Sequence, residues 1–396
     1  LNHTFEDSMN PVLAFTTIMA IWTVSEFVSS KSKGLVSSLF VASLIFLVGF
    51  LTGLFPPDLL TSSSLLAFAG VVVGFVIVHL GTVISINDFI KQWRTVLTGI
   101  AAVFGVAAAL FFVGSLLKGT DYVIAAIGAI SGGTVSVVII QEAALAVGLV
   151  TVAVFPVLIA ALQGLVGFPL TSIILRKEAR RLRDEYRAGN LKPATEEAAG
   201  AETKTRLPAA FQSTVGTLFV VGVAVLVARF ISDITNGNLN TFVVALVLGV
   251  LLRWGRIFKP SVLSGIDAYG LMITAVLILV FGPLATVTLA DLKSLAVPLA
   301  VAFVVGVSGI VAGSVLVGKL FGFSVPMSIG IGLTALYGFP GTLLLSQEAA
   351  KAVGENPDEV KAIEGEILPR MIVAGFATVT ITSVIVTGIV AGFMGR

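Results

Sequence analysis

Long apolar stretches separated by short polar connections run the length of this chain. Runs near 12–29, 35–54, 64–85, 95–117, 149–175, 212–231, 240–252, 262–284, 295–318 and 368–393 approach the roughly 20 apolar residues that a helix needs to cross a bilayer. The run at 240–252 is short and needs its flanks to span. Two further apolar stretches, near 122–145 and 325–347, are each broken in the middle by small residues, Ser131-Gly132-Gly133-Thr134 in one and Gly338-Phe339-Pro340-Gly341-Thr342 in the other. Glycine and proline punctuate helices. Broken backbone at membrane depth survives only where it is buried in protein or lines a cavity.

Composition agrees with the pattern. Of 396 residues, 57% are hydrophobic and 12% charged, against about 25% charged in soluble domains, and the mean hydropathy is +1.06. The first apolar run has no basic leader and is read as a span rather than a cleaved signal. With no cysteine and two histidines, His3 and His79, disulfides and thiolate metal centres are excluded.

The basic residues decide whether the broken stretches cross or turn back, because Lys and Arg concentrate in cytoplasmic loops. If both turn back as hairpins, ten crossings remain, with both termini outside. Twenty basic residues then lie inside and four outside (Lys118, Arg229, Lys293 and Arg396). Full crossings would give 15 against nine. The hairpin reading separates the charges better. It places residues 176–210 in the cytoplasm, a basic helical extension followed by an Ala/Glu/Thr-rich linker, between membrane segments 1–175 and 211–396.

These two membrane segments resemble each other. Asp88 and Asp291, read as marking span ends, are 203 residues apart, and the Gln141-Glu142-Ala143-Ala144 and Gln347-Glu348-Ala349-Ala350 motifs 206 apart. A Gly-Thr pair precedes each motif, Gly133-Thr134 and Gly341-Thr342, and Pro156 and Pro369 are expected to open the last span of each half. Five crossings per half, an odd number, would insert the second half upside down. The fold class expected is an all-α integral membrane protein of two inverted five-helix repeats, each with a glycine-rich re-entrant hairpin. Paired broken segments of that kind point to a substrate site between the repeats.

The arrangement resembles the glutamate:sodium symporter family and, more distantly, the 2-hydroxycarboxylate (citrate:sodium) transporters. The resemblance covers most of the chain in segment order and is most specific around Ser131-Gly132-Gly133 and Gly338 to Thr342. Here Thr134 follows the first glycine pair directly, and Phe339-Pro340 interrupts the second turn. The resemblance implies a homodimer in a prokaryotic cytoplasmic membrane, an elevator-like transport domain and Na⁺ as coupling ion.

Ser131, Gly132, Gly133, Thr134, Ser136, Tyr337, Gly338, Pro340, Gly341 and Thr342 are the expected substrate-binding set. Half-helix N-termini offer N–H groups and a positive dipole end to an anion, and unwound carbonyls with Ser and Thr hydroxyls suit Na⁺; Ser131, Thr134, Gly338 and Thr342 are its expected ligands. The same glycines also suit close helix packing. Glu142 and Glu348, with Gln141 and Gln347, are coupling or gating positions, or interfacial groups roughly 10–13 Å from the turns. His79 is either a proton relay or a hydrogen-bonding partner for a neighbouring helix.

Other functions fit less well. Gly306-Val307-Ser308-Gly309 resembles the rhomboid protease nucleophile motif, but His79 lies upstream of the serine, where that pattern puts its base downstream. No GxxxxGK[ST] sequence occurs, so nucleotide-driven transport has no support. The expectation is a non-enzymatic Na⁺-coupled carrier of a small organic anion, an amino acid such as glutamate or another carboxylate, with proton coupling as the alternative. Its partners are that anion, the bilayer and a second copy; neither nucleic acid nor an organic cofactor is expected.

Overall fold

Polar residues at the edges of the apolar runs set where the helices begin. Asn10, Ser37, Ser213, Thr288, Ser324 and Asn356 each accept a first-turn N–H at a helix start, satisfying donors that the helix itself leaves free. The computed structural model describes residues 9–32, 36–83, 90, 92–113, 119–191, 205–235, 239, 241–264, 266 and 269–395; the side chains of Thr134 and Val135 lie outside that description. Among the described residues all regular structure is helical.

The helices are α1 (Pro11–Lys31), α2 (Ser38–Leu51), the single turn α3 (Leu59–Ser62), α4 (Leu65–Val83), α5 (Trp93–Val113), α6 (Thr120–Ile130), α7 (Thr134–Ala146) and α8 (Val150–Arg187). They continue with α9 (Thr214–Ile234), α10 (Thr241–Trp254), α11 (Tyr269–Ile278), α12 (Leu289–Leu320), α13 (Val325–Leu333), α14 (Gly341–Val353), α15 (Pro357–Phe376) and α16 (Ser383–Ala391). A 3₁₀ segment, Leu279–Thr286, prolongs α11, another, Thr334–Leu336, prolongs α13, and a π-helical segment, Ala377–Thr382, joins α15 to α16. Eight of these helices are long and apolar enough to cross a membrane, the make-up of an all-α integral membrane protein.

Several sequence expectations shift. The run expected over 35–54 is helical only from Ser38 to Leu51. The run expected to start at 262 begins as a turn at residues 261–264 rather than as helix, its backbone at Ser261 and Val262 held by Thr82, and the described helix is Tyr269–Ile278. Pro156 and Pro369 do not open their helices; both lie inside, α8 beginning at Val150 and α15 at Pro357. Asp291 marks a helix start, its N–H capped by Thr288, while Asp88 lies outside the described residues. The basic extension is helical as far as Arg187, so α8 has 38 residues and runs about 57 Å, well beyond a hydrocarbon core of roughly 30 Å. Most of the linker, 192–204, lies outside the described residues.

Two compact units form, each drawing helices from both halves of the chain. One contains residues 1–63, 94–193 and 280–396, the other 64–93 and 194–279. Inside the first, Phe46 packs on Phe281 with ring centres 4.8 Å apart. There α5 and α12 meet backbone to backbone. A Cβ on Gly105 would lie 2.2 Å from the Gly309 carbonyl oxygen, and one on Gly309 2.3 Å from that of Gly105, the close approach that small residues permit between membrane helices. Outside the apolar segments, the Ser62 hydroxyl (2.6 Å) and the Met9 N–H (3.3 Å) bind the Asp58 carboxylate and hold its pKa below the usual carboxylate range.

In the second unit α4 packs against α9, α10 and α11. Arg253 donates to the Thr82 and Val83 carbonyls at 3.2 and 2.7 Å, closing the C-terminal end of α4 as basic side chains do.

Candidate functional site

Both broken stretches are helix–turn–helix units within the first unit. In the first, α6 ends at Ile130 and α7 begins at Thr134, leaving Ser131, Gly132 and Gly133 as the turn. In the second, the 3₁₀ end of α13 leads into Tyr337, Gly338, Phe339 and Pro340 before α14 starts at Gly341. Neither α7 nor α14 has a side-chain cap, in contrast to the six starts named above.

Both turns reach Val379, in the middle of the π-helical segment. The Gly133 N–H points to the Val379 carbonyl at 3.5 Å, and a Cβ on Gly133 would lie 2.6 Å from a Val379 methyl. From the other turn, a Cβ on Gly338 would lie 3.1–3.3 Å from the same side chain, and Gly338 has φ +56, where glycine is favoured.

Hydroxyls surround this meeting point. Ser136 donates to Ser383 at 3.1 Å, and Ser383 to the Val379 carbonyl at 2.6 Å. Thr334 and Thr378 share a hydrogen bond of 3.2 Å. Thr382 donates to the Ala377 carbonyl at 2.8 Å. The Thr342 hydroxyl is buried and has no partner, and its methyl lies against the position a Gly375 Cβ would take. Tyr337 donates to Thr171 of α8 at 3.0 Å and packs on Phe168, fixing the entry to the second turn.

The expected residues divide on inspection. Gly133, Ser136, Gly338 and Thr342 lie at or beside the meeting point. Gly132 lies against Ser136 and Gly341 against Tyr337, while Pro340 is the N-cap residue of α14. Ser131 turns back, donating to the Ile127 carbonyl at 2.7 Å. Thr134 opens α7, but its side chain lies outside the described residues. Gln141 is half-buried and Glu142 exposed. Gln347 donates to Glu364 at 3.2 Å. Glu348 faces Ser29 and Ser38, away from the turns. Ser308, of the protease-like motif, donates to its own helix at Val304.

His79 belongs to the second unit. Its Nδ1 accepts the Leu263 N–H at 3.0 Å, which puts the ring proton on Nε2, and its ring lies 4.6 Å from that of Tyr269. The geometry is that of a structural acceptor for the turn at residues 261–264. Replacing His79 with Leu should cost about 2 kcal/mol in thermal unfolding, because a buried N–H is left unmatched. His79→Gln, whose amide oxygen can accept, should recover part of it; equal losses would show that the bond contributes little.

No family model matches the chain, and no curated protein matches it. What these atoms can hold then follows from their own chemistry. Among the described residues no cluster of His, Asp or Glu could bind a metal. The oxygens at the meeting point are hydroxyls and carbonyls, hard neutral donors of the kind that suit an alkali cation, and the orphaned Thr342 oxygen fits that chemistry.

The sequence reading missed the third partner. Val379, Thr378 and Ser383 lie in the run Ala-Thr-Val-Thr-Ile-Thr-Ser, 377–383. Its hydroxyls at 378, 380, 382 and 383, in an otherwise apolar span, were the available signal. π-Helical segments inside α-helices recur at functional sites.

Proposed function

We propose that the protein is a secondary carrier that couples Na⁺ to the movement of a small organic anion, an amino acid or other carboxylate. Substrate and ion would meet where Gly133, Gly338 and Val379 converge, and that convergence is the observation that carries the reading. The uncapped start of α7 offers N–H groups, and the starts of both α7 and α14 offer helix-dipole charge, to a carboxylate; Thr342, Thr334, Thr378, Ser136 and Ser383 offer oxygens to Na⁺.

Helix order favours the two-repeat reading. In each half, the single turn α3 aside, three helices (α1, α2 and α4; α9, α10 and α11) lead to a long span (α5, α12), then a helix–turn–helix pair (α6–α7, α13–α14), then a last long helix (α8, α15–α16). Each turn would be a re-entrant hairpin tip, with both termini outside and the 176–210 linker in the cytoplasm. Both turns and the π-helical segment belong to one compact unit, which suits an elevator-like carrier that moves its site as a body within a homodimer.

Thermal unfolding of the purified protein in Na⁺ against K⁺, across glutamate, aspartate, citrate and malate, tests this. A ligand that binds only the folded state stabilises by RT ln(1 + [L]/Kd), about 2.7 kcal/mol at a hundredfold excess over Kd. The expected result is a shift that needs Na⁺ and one anion together. A melting point indifferent to Na⁺ across the whole panel would remove Na⁺ coupling.

A further inference from the structure

Glu348 lies on α14, about two turns beyond Gly341, and its two oxygens live in different surroundings. Oε1 accepts the Ser38 N–H at 3.1 Å, the Ser38 hydroxyl in a short contact, and the Ser29 hydroxyl at 3.5 Å. Oε2 is buried and has no hydrogen-bond partner. Ser29 and Ser38 are themselves buried, with 7% and 1% of their surface exposed.

No described cation balances a charge here. On α1, Glu26 accepts from the Trp22 indole and Lys31 lies over the Phe27 ring. Glu26 faces Glu348 as a like charge. Helix α2 has no titratable residue, and α8 has none before Arg176. On α15, Glu359 is held by Arg187 and Glu366 by Arg370, while Glu364 receives Gln347; Asp358 and Lys361 also lie on it, and Lys351 is the other charge on α14. Lys33, between α1 and α2, lies outside the described residues. Among the described residues no salt bridge includes Glu348.

An ionised carboxylate is an acceptor on both oxygens, and a buried charge without a partner costs far more than a buried neutral group. A sealed oxygen leaves no room for a hydrated cation, whereas a proton needs none. Serine hydroxyls also accept, so Ser29 and Ser38 can serve a neutral carboxyl as well as a charged one. Glu142, at the matching place in the first half, is exposed and has no such cradle.

We propose that Glu348 is a proton-binding carboxyl, releasing its proton to water when α14 parts from Ser29 and Ser38. The contacts join the end of α1 and the start of α2 to the second helix–turn–helix unit inside one compact unit, so local opening of that hairpin away from α1 and α2, rather than movement of the whole compact unit, is proton-linked. This lies outside the meeting point of the turns and holds whichever substrate binds there.

Infrared spectroscopy of the purified full-length protein at neutral pH tests the proposal. A protonated-carboxyl absorption should be present in the native protein, absent in Glu348→Gln, shifted in Ser38→Ala and unchanged in Glu142→Gln. Its absence from the native protein, or its persistence in Glu348→Gln, overturns the proposal. Thermal unfolding gives a second readout. The folded chain holds a proton that an unfolded glutamate, with pKa about 4.3, gives up, so stability falls as pH rises above that value, by up to about tenfold in the unfolding constant per pH unit. Glu348→Gln should flatten this slope; parallel pH profiles for the two proteins also overturn it.

Discussion

Gly133→Ala is expected to lower the Na⁺-dependent stabilisation by substrate at least about tenfold in apparent affinity, roughly 1.4 kcal/mol. The cause is steric. Gly133 has φ −84 and ψ −169, backbone that any residue adopts, but the added methyl would sit 2.6 Å from a Val379 methyl. Overpacking of that kind costs about 1–3 kcal/mol when neighbours must shift, and the neighbour is the residue at which both turns meet. Truncating Val379 to Ala should remove the clash, so Gly133→Ala/Val379→Ala should recover most of the lost stabilisation. Gly338→Ala should not be rescued in the same way, because φ +56 disfavours a side chain by about 1–2 kcal/mol whatever the space. The double-mutant comparison separates packing from backbone conformation. Equal rescue at both glycines would show that Gly338, like Gly133, is needed for packing against Val379 rather than for its backbone conformation; no rescue at Gly133 would show that the turns do not act through Val379, and an undiminished response in Gly133→Ala would remove the turn from the site.

How much of this was legible beforehand differs by level. The apolar runs located the long spans, since bilayer thickness dictates their length, and Gly133 and Gly338 flagged the turns, since few other residues break a helix so cheaply. Helix ends were less legible. Val262 and Leu263 read as part of a span, yet Thr82 and His79, far away in sequence, take their backbone N–H groups, and no local pattern encodes that competition. Val379 was invisible for a related reason. A valine in an apolar span carries no signal, and its role arises only where two distant glycines leave room for it. Glu348 and Glu142 illustrate the limit of repeat reasoning: the same QEAA motif is enclosed by Ser29 and Ser38 in one half and exposed in the other.

A stability effect as large as that at His79 is expected at Glu178, beyond the apolar part of α8. Its side chain is fully buried, with no exposed surface. It receives Arg181 at 2.6 Å and the Ser324 hydroxyl at 2.5 Å. Ser324 in turn accepts the Met327 N–H at 3.1 Å, so the carboxylate fixes the cap of α13. Further along α8, Arg187 holds Glu359 at 2.7 Å and Glu355 at 2.9 Å, at the start of α15. The basic extension therefore grips the chain just before and just after the second helix–turn–helix unit. Removing one partner of a buried pair typically costs about 3–5 kcal/mol. Arg181 is 44% exposed and also reaches Glu185, so it can turn to water, and about 2 kcal/mol is the expected loss for Glu178→Ala. Glu355, 67% exposed, should cost under about 0.5 kcal/mol when replaced by Ala, as solvated pairs do. Thermal or denaturant unfolding of the two variants beside Ser324→Ala decides the matter. Coupling between Glu178 and Ser324 in the double variant is expected. If Glu178→Ala and Glu355→Ala prove equally mild, the α8 extension is a solvated surface rather than the anchor of the second turn.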